Sequence, residues 1–308
     1  MTQEKDSIIP SHRAQLSKKP DHITQRGLAL IDEVVESLYL TGNASEICRW
    51  EVVAHLGKIL ALEVSSDGRY VISGGEDGSV CLWASETMEL LKVLGAHKAG
   101  VSWISYSNDG SRAVSSAWDG SICIWDPKLR QKVYSFQAHN RAALCARYSP
   151  DDELLSTSGE DAEVKIWDMK TGDLLKVLRG HEGGVWAVAF LDHNKLLSAG
   201  EDLHIRMWDI GNGEQTSSFQ GHTDIIARLA VLPDGRYFLS AGDDGTLRLW
   251  DSQLGIQERS YEEHEDEIWA MDLSHDGKRV LTGSKDGSIL AWSLDGSQHS
   301  HSQIKIEE

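Results

Sequence analysis

The stretch DDGTLRLWD, residues 243–251, opens with two carboxylates and an Asp-Gly turn and ends in Trp250-Asp251. An Asp-Gly pair next to an alternating apolar run is a strong signal for a β-hairpin. A tryptophan stands in the place of Trp250 at intervals of 41 or 42 residues. These tryptophans are Trp83, Trp125, Trp167, Trp208, Trp250 and Trp292. Such a fixed period indicates one supersecondary unit repeated along the chain.

Three other residue types recur at matching positions before each tryptophan. Six residues before it stands an aspartate: Asp77, Asp119, Asp161, Asp202, Asp244 and Asp286. Ten residues before it stands a hydroxyl: Ser73, Ser115, Thr157, Ser198, Ser240 and Thr282. Further back stands a histidine: His55, His97, His139, His181, His222 and His264. This recurrence predicts that every unit has the same local structure.

The residues between these positions predict short strands joined by turns. The segment GVWAVAF at 184–190 alternates between large and small residues from Trp186 to Phe190. YVIS at 70–73 runs into a repeated serine, and LLKVL at 174–178 follows a polar turn. Together with the tryptophan-bearing strand, each unit then has four antiparallel strands. Units of this kind repeated around an axis predict an all-β fold, the β-propeller.

On these residues, the sequence resembles the WD-repeat (WD40) β-propeller family over about residues 46 to 294. The Trp-Asp pair is intact at four of the six tryptophans, whereas Ala84 follows Trp83 and Ser293 follows Trp292. The resemblance implies a buried tetrad in each blade: the aspartate accepts a hydrogen bond from the histidine, the histidine meets the hydroxyl, and the hydroxyl meets the indole N–H. A hydrolase triad is asymmetric and occurs once. Six copies therefore favour a structural device, and we expect no catalytic residue.

Six blades account for residues 46–294, with segment 46–54 predicted to pair into the last blade and so close the ring. A degenerate seventh blade from residues 1–45 is the alternative. Residues 21–45 are predicted to form an amphipathic helix with Leu28, Ile31, Val35 and Leu38 on one face. That face would pack on the propeller or dock to a partner, and both remain open. Residues 1–20 and 295–308 are predicted to be flexible tails.

The composition limits the class of partner. The formal net charge is −18 over 308 residues, and the basic residues are scattered. Such a chain repels nucleic-acid phosphates and anionic lipids. Its four cysteines form no CxxC pair and its first residues have no apolar signal core, so we expect a reducing, cytoplasmic location.

The resemblance implies that partners bind the face that carries the turns near the central channel. Three positions per blade reach this face: the residue before the tetrad aspartate, and the two that flank the apolar residue four after the histidine. The candidate partner-binding residues are Trp118, Trp186, Trp269, Glu76, Glu160, Glu201, Asp243, Glu267, Lys58, Leu60, Leu144 and Ile225. Tryptophan is the residue most enriched at interface hot spots. Alternatively, these tryptophans fill the mouth of the channel.

An acidic, Trp-rich face predicts a basic or amphipathic peptide or protein as partner, held by charge pairing and cation–π contacts. The predicted function is a non-catalytic interaction scaffold within a larger complex, with no cofactor and no metal. One alternative is a regulatory or sensor subunit docked to a separate effector through the N-terminal helix. Another is a small-molecule-binding or enzymatic propeller. The sequence has no P-loop and no GxSxG motif to support the enzyme.

Overall fold

The computed structural model describes residues 54–274, 276–294 and 302–305, the last as backbone only. Every regular element in this part is a β-strand, and the strands form six antiparallel sheets of four. The prediction of a six-bladed β-propeller is therefore confirmed. The described residues contain no helix that could cross a membrane. The helix predicted at 21–45 and the alternative seventh blade lie outside them.

The sheets are numbered here as blades in chain order. Blade 1 contains β1 (Ile59–Val64), β2 (Tyr70–Gly75), β3 (Ser79–Ala84) and β4 (Leu90–Ala96). Blade 2 contains β5 (Val101–Tyr106), β6 (Ala113–Ala117), β7 (Ser121–Asp126) and β8 (Gln131–Gln137). Blade 3 contains β9 (Ala143–Tyr148), β10 (Leu154–Gly159), β11 (Glu163–Asp168) and β12 (Leu174–Arg179).

Blade 4 contains β13 (Val185–Phe190), β14 (Lys195–Gly200), β15 (His204–Asp209) and β16 (Gln215–Gln220). Blade 5 contains β17 (Ile226–Val231), β18 (Tyr237–Gly242), β19 (Leu247–Asp251) and β20 (Ile256–Tyr261). Blade 6 contains β21 (Ile268–Leu273), β22 (Arg279–Ser284), β23 (Ser288–Ser293) and β24 (Ser302–Lys305).

Each blade is a meander in which sequential strands pair. The first strands of successive blades contact one another from β1 to β21, so they surround the central axis. The second and third strands are mostly buried, whereas fourth strands such as β8 and β20 are largely exposed. Because antiparallel strands reverse direction at every turn, the turns between second and third strands share one face with the connections between blades. We call this the top face, and the opposite one the bottom face.

Blade 6 is completed differently from the prediction. Its fourth strand is β24, which pairs with β23 from Ser288↔Lys305 to Ala291↔Ser302. The prediction that segment 46–54 takes this place is wrong in this structure, and a strand lies within the 295–308 region predicted as a flexible tail. Without a fourth strand, the outer edge of β23 would present unpaired backbone N–H and C=O groups, which any extended segment within reach can satisfy. Residues 46–53 lie outside the described part of the chain.

The apolar core lies between the blades. In blades 3, 5 and 6 the tryptophan on the third strand packs against an aromatic residue from the fourth strand of the preceding blade. In blades 2 and 4 the residue from the preceding fourth strand is a leucine, Leu94 or Leu178. The ring centroids are 4.6 Å apart for Phe136–Trp167, 5.9 Å for Phe219–Trp250 and 5.1 Å for Tyr261–Trp292. The repeated tryptophan therefore joins neighbouring blades, which explains its fixed position in every unit.

Three side chains from innermost strands meet near the central axis. The guanidinium carbon of Arg147 lies 4.8 Å from the ring centroid of Trp103, and that of Arg228 lies 5.3 Å from it. They come from blades 2, 3 and 5, and blades 2 and 5 face each other across a six-membered ring. Trp103 and Arg228 are each only 3% exposed. This cation–π group narrows the channel, and the sequence analysis did not single it out.

Candidate partner-binding face

The four repeated side chains are joined by hydrogen bonds in blade 5. His222 Nδ1 lies 2.8 Å from Asp244 Oδ2, and His222 Nε2 lies 2.6 Å from Ser240 Oγ. The Trp250 indole N–H donates to Ser240 Oγ at 2.8 Å. The histidine and the hydroxyl are buried. Each polar side chain of this tetrad has a hydrogen-bond partner, as buried polar groups require.

The tetrads take two forms. In blades 3, 4 and 5 the histidine Nδ1 lies 2.8–2.9 Å from the aspartate, and Lys165, Arg206 or Arg248 lies within 4.0 Å of that carboxylate. In blades 1, 2 and 6 the distance grows to 3.2, 3.9 and 3.3 Å. There a serine two residues after the aspartate contacts Nδ1 at 2.7–3.0 Å: Ser79, Ser121 and Ser288. A serine at this position therefore replaces the carboxylate as the main partner of the histidine.

The environment of Asp244 keeps it ionised. Burial opposes ionisation, but hydrogen bonds from His222, Thr223 and Thr246 outweigh it and hold the Asp244 pKa well below its ordinary value. In blade 2, burial lowers the pKa of His97 to about 4, against the opposing charge of Asp119. Both pKa shifts arise from burial and hydrogen bonding within a tetrad, and neither brings the pKa of the group near 7, where a general acid or base works best. The described residues contain no His, Cys, Asp and Glu cluster that could hold a metal.

A shallow depression of about 560 Å3 lies on the top face at blades 2, 3 and 4. Its lining is formed by Trp118, Arg141, Ala142, Leu144, Glu160 and Trp186. Trp118 is 45% exposed although it is a large aromatic residue, and Trp186 is half-buried. The structure thus brings together four residues predicted for partner binding: Trp118, Leu144, Glu160 and Trp186. Leu144 is only 3% exposed and forms part of the floor.

Close backbone contacts position the two indoles. A Cβ atom at Gly100 would lie 2.8 Å from Trp118 Cε3, so only glycine leaves room for this ring position. Trp186 donates its indole N–H to Glu201 Oε1 at 3.3 Å, and Glu201 Oε2 accepts the backbone N–H of Gly184 at 2.8 Å. Glu201 therefore orients Trp186 and places a carboxylate beside it.

A second group of predicted residues lies at blades 5 and 6. Glu267 Oε1 is 2.8 Å from Lys285 Nζ, and this ammonium group lies 5.6 Å from the ring centroid of Trp269. Asp243 is half-buried. Burial, Glu267 and Asp224 raise the pKa of Asp243 to about 6. Negative charge is therefore crowded on this part of the face.

The other predicted residues lie at blades 1 and 5. Glu76 and Lys58 are exposed, and Glu76 Oε2 lies 3.4 Å from the backbone N of Lys58. Leu60 is half-buried and lies near Gly100, under the Trp118 side of the face. Ile225 is also half-buried, and its carbonyl accepts the backbone N–H of Asp243 at 2.8 Å.

The candidate residues predicted from the sequence include the cation Lys58 but not two other cations of this face, Arg141 and Lys285. Arg141 lies one position before the predicted flank in blade 3, where its Nε is 3.7 Å from Glu160 Oε2. Lys285 stands in the position before the tetrad aspartate, where four blades have an acid, and that break in the pattern was the available signal. The side-chain directions of Arg141 and Lys285 depend on the folded structure, so the sequence could not show that they reach Glu160 and Glu267.

The comparison with known families agrees with the geometry of the blades. The family model described as "WD domain, G-beta repeat" matches the chain six times, at residues 46–84, 88–126, 130–168, 172–209, 213–251 and 255–293. No curated protein matched the chain. The six matches cover more than half of the sequence, and each includes one complete set of histidine, hydroxyl, aspartate and tryptophan. The chain belongs to the WD40 repeat family.

Proposed function

We propose that this protein is a non-catalytic interaction platform that recruits a basic or amphipathic peptide or protein on its top face, as a subunit of a larger complex. WD40 propellers are commonly used as interaction scaffolds and are typically non-catalytic. Fold alone does not assign a function. The proposal therefore depends on the chemistry of the top face.

The depression between Trp118 and Trp186 is the observation that carries the proposal. An indole that is 45% exposed contributes little to the stability of the free protein. On binding, the same ring can bury a large apolar area with little loss of conformational freedom. The floor residues Ala142 and Leu144 extend the apolar contact. An apolar or aromatic side chain of the partner fits this concave surface.

The charges beside the depression set the sign of the partner. Glu160 and Arg141 both line the depression and lie 3.7 Å apart, so their charges offset each other. Glu201, which holds the indole of Trp186, leaves one negative charge in excess. A cationic side chain that enters here meets carboxylates as well as the faces of aromatic rings, which favour cations. The net charge of −18 adds a long-range attraction for basic partners. The same field opposes the binding of nucleic acid.

The test begins with chemical cross-linking in native lysate and ends with purified components. Each captured protein is produced separately, and its dissociation constant is measured against wild type, Trp118→Ala and Leu254→Ala. Leu254 is a matched control because it is exposed, apolar and located in a turn of the bottom face. We expect Trp118→Ala to weaken binding at least tenfold, about 1.4 kcal/mol. We expect Leu254→Ala to leave it unchanged.

Two results would overturn the proposal. In one, every reconstituted partner binds Trp118→Ala and Trp186→Ala as tightly as wild type, while both variants melt like wild type. In the other, binding is lost only when Leu28 and Ile31 are replaced by serine. That outcome would favour the alternative of a subunit docked through its N-terminal segment, which lies outside the described residues.

A further inference from the structure

Lys285 is seated in a corner of the top face that suits a cation. Its Nζ lies 2.8 Å from Glu267 Oε1, 4.0 Å from Asp266 Oδ1 and 5.6 Å from the ring centroid of Trp269. The side chain stays 34% exposed, so it covers the corner from the solvent side. The corner thus has the three features that bind an ammonium group: a carboxylate in direct contact, a second carboxylate and an aromatic ring.

The corner has more negative charge than Lys285 can balance. The carboxylates that act on Lys285 are Glu267 and Asp266 of blade 6 and Asp243 of blade 5. Asp224 of blade 5 acts in turn on Asp243. The cations that act on Asp243 are Lys285 and the buried Arg228. Four acids against two bases leave an excess of negative charge when all are ionised. An additional cation from a partner is therefore favoured at this corner.

We propose that the corner formed by Trp269 and Glu267 is a subsite for one guanidinium or ammonium side chain of the partner, and that Lys285 occupies it in the free protein. This inference rests on the proposed function, because it assigns part of the partner's contacts on the top face. The inference requires that the partner place at least one Arg or Lys side chain on the part of the top face formed by blades 5 and 6. The Trp118–Trp186 depression, at blades 2 to 4, takes the apolar part.

Displacement of Lys285 is structurally simple. The residue belongs to the short turn between β22 and β23, and its neighbours 286 and 287 are exposed. An exposed ion pair contributes little to stability, so its exchange for a similar pair costs little. Arginine has an advantage over lysine in this exchange, because a planar guanidinium can bind a carboxylate with two hydrogen bonds and stack on an indole. Lys285 then acts as an internal competitor that raises the threshold for partner binding.

The test uses the full-length protein labelled with 5-fluorotryptophan and followed by 19F NMR. The resonance of Trp269 is assigned with Trp269→Phe, and those of Trp118 and Trp186 in the same way. The probe is N-acetyl-arginine amide, with the uncharged N-acetyl-citrulline amide as matched control at equal ionic strength. The proteins are wild type, Lys285→Ala, Lys285→Ser and Lys285→Ala/Glu267→Gln, each first shown to melt like wild type.

We expect the arginine probe to shift the Trp269 resonance in both single Lys285 variants, with an apparent dissociation constant at least threefold lower than in wild type. The citrulline probe should leave it unchanged, and Glu267→Gln should abolish the gain. A Trp269 resonance that responds equally in wild type and in both Lys285 variants would overturn the inference, as would an equal response to citrulline. The Trp118→Ala binding assay reports on the proposed function independently, so the failure of one is distinguishable from the failure of the other.

Discussion

Replacement of Asp244 by alanine should destabilise the protein more than replacement of any of the candidate partner-binding residues. The Asp244 carboxylate is 3% exposed and accepts four hydrogen bonds. These come from His222 Nδ1 at 2.8 Å, Thr223 N at 3.0 Å, Thr246 N at 3.0 Å and Thr246 Oγ1 at 2.8 Å. At a net value of about 1 kcal/mol per bond, and more where a charge is involved, we expect a loss of about 3–5 kcal/mol.

The equivalent change in blade 2 should cost less, because its histidine keeps a partner. His97 Nδ1 is 3.9 Å from Asp119 but 2.7 Å from Ser121 Oγ. The Asp119 carboxylate is also 17% exposed, so water can replace part of what it accepts. It still accepts three hydrogen bonds, from the backbone N–H groups of Lys98 and Ser121 at 2.8 and 2.9 Å and from the Ser121 hydroxyl at 2.6 Å. We expect Asp119→Ala to cost about 2 kcal/mol, roughly half of the loss in blade 5.

The losses of unfolding free energy for Asp244→Ala and Asp119→Ala are measured by guanidinium chloride unfolding at pH 7, monitored by tryptophan fluorescence and circular dichroism. The free energies are comparable only if the two variants share the denaturant dependence of the wild type. Asp244→Asn is a useful third variant, because it keeps the size of the side chain and part of its hydrogen bonding. Equal losses for Asp244→Ala and Asp119→Ala would refute the reasoning, because the two tetrad forms would then not differ in energy.

Three further predictions follow from the same geometry. In the folded protein the pKa of His97 is lowered to about 4. Between about pH 6.5 and 4 the unfolded chain therefore binds one more proton at this residue than the folded chain. The free energy of unfolding of the wild type should fall by up to about 3 kcal/mol as the pH is lowered through this range. The gap between wild type and His97→Gln in pH-dependent unfolding should therefore narrow over this window, and a constant gap would contradict the assignment. Asp243 has its pKa raised to about 6, so its ionised form costs stability above that pH. Asp243→Asn should raise the free energy of unfolding by about 1–2 kcal/mol at pH 7.5, allowing for solvent screening, and by nothing at pH 3.5, below both pKa values; equal effects at both would contradict it. Gly100→Ala should move the Trp118 ring, shift its 19F resonance and weaken partner binding while stability changes by less than about 1 kcal/mol; an unmoved resonance would contradict the close contact.

The fold was predictable because the same information occurs six times. A single Asp-Gly turn or a single buried tryptophan is weak evidence, but a fixed spacing in six units leaves the β-propeller as the consistent solution. The completion of blade 6 was not predictable in the same way. The edge of β23 is paired through backbone groups, which every residue except proline offers, so the pattern could not distinguish segment 46–54 from Ser302–Lys305.

The candidate face was predictable in position but not in chemistry. The resemblance to WD-repeat propellers implied that Trp118 and Trp186 lie on the same face, and both line one depression. Spacing carries no information about rotamers or neighbours in other blades. It therefore could not show that Glu201 holds the indole of Trp186, or that Lys285 reaches Glu267 and covers Trp269. These contacts depend on side-chain conformations that tertiary packing selects.

The adjacent residues Asp243 and Asp244 have different roles: Asp244 stabilises the fold, and Asp243 is expected to contact a partner. Their carboxylates are adjacent in the same turn, yet the pKa of Asp244 is lowered and that of Asp243 is raised to about 6. The difference arises from the neighbours of each carboxylate. Asp244 turns inward to His222, whereas Asp243 faces Asp224 of its own blade and Glu267 of blade 6. A residue whose partners come from its own blade stabilises the fold in every repeat. A residue whose neighbours repel it costs stability in the free protein, and that cost is relieved when a cation arrives. The acid that precedes the tetrad aspartate, as Asp243 does, is therefore where recognition of a partner is expected, rather than the repeated aspartate itself.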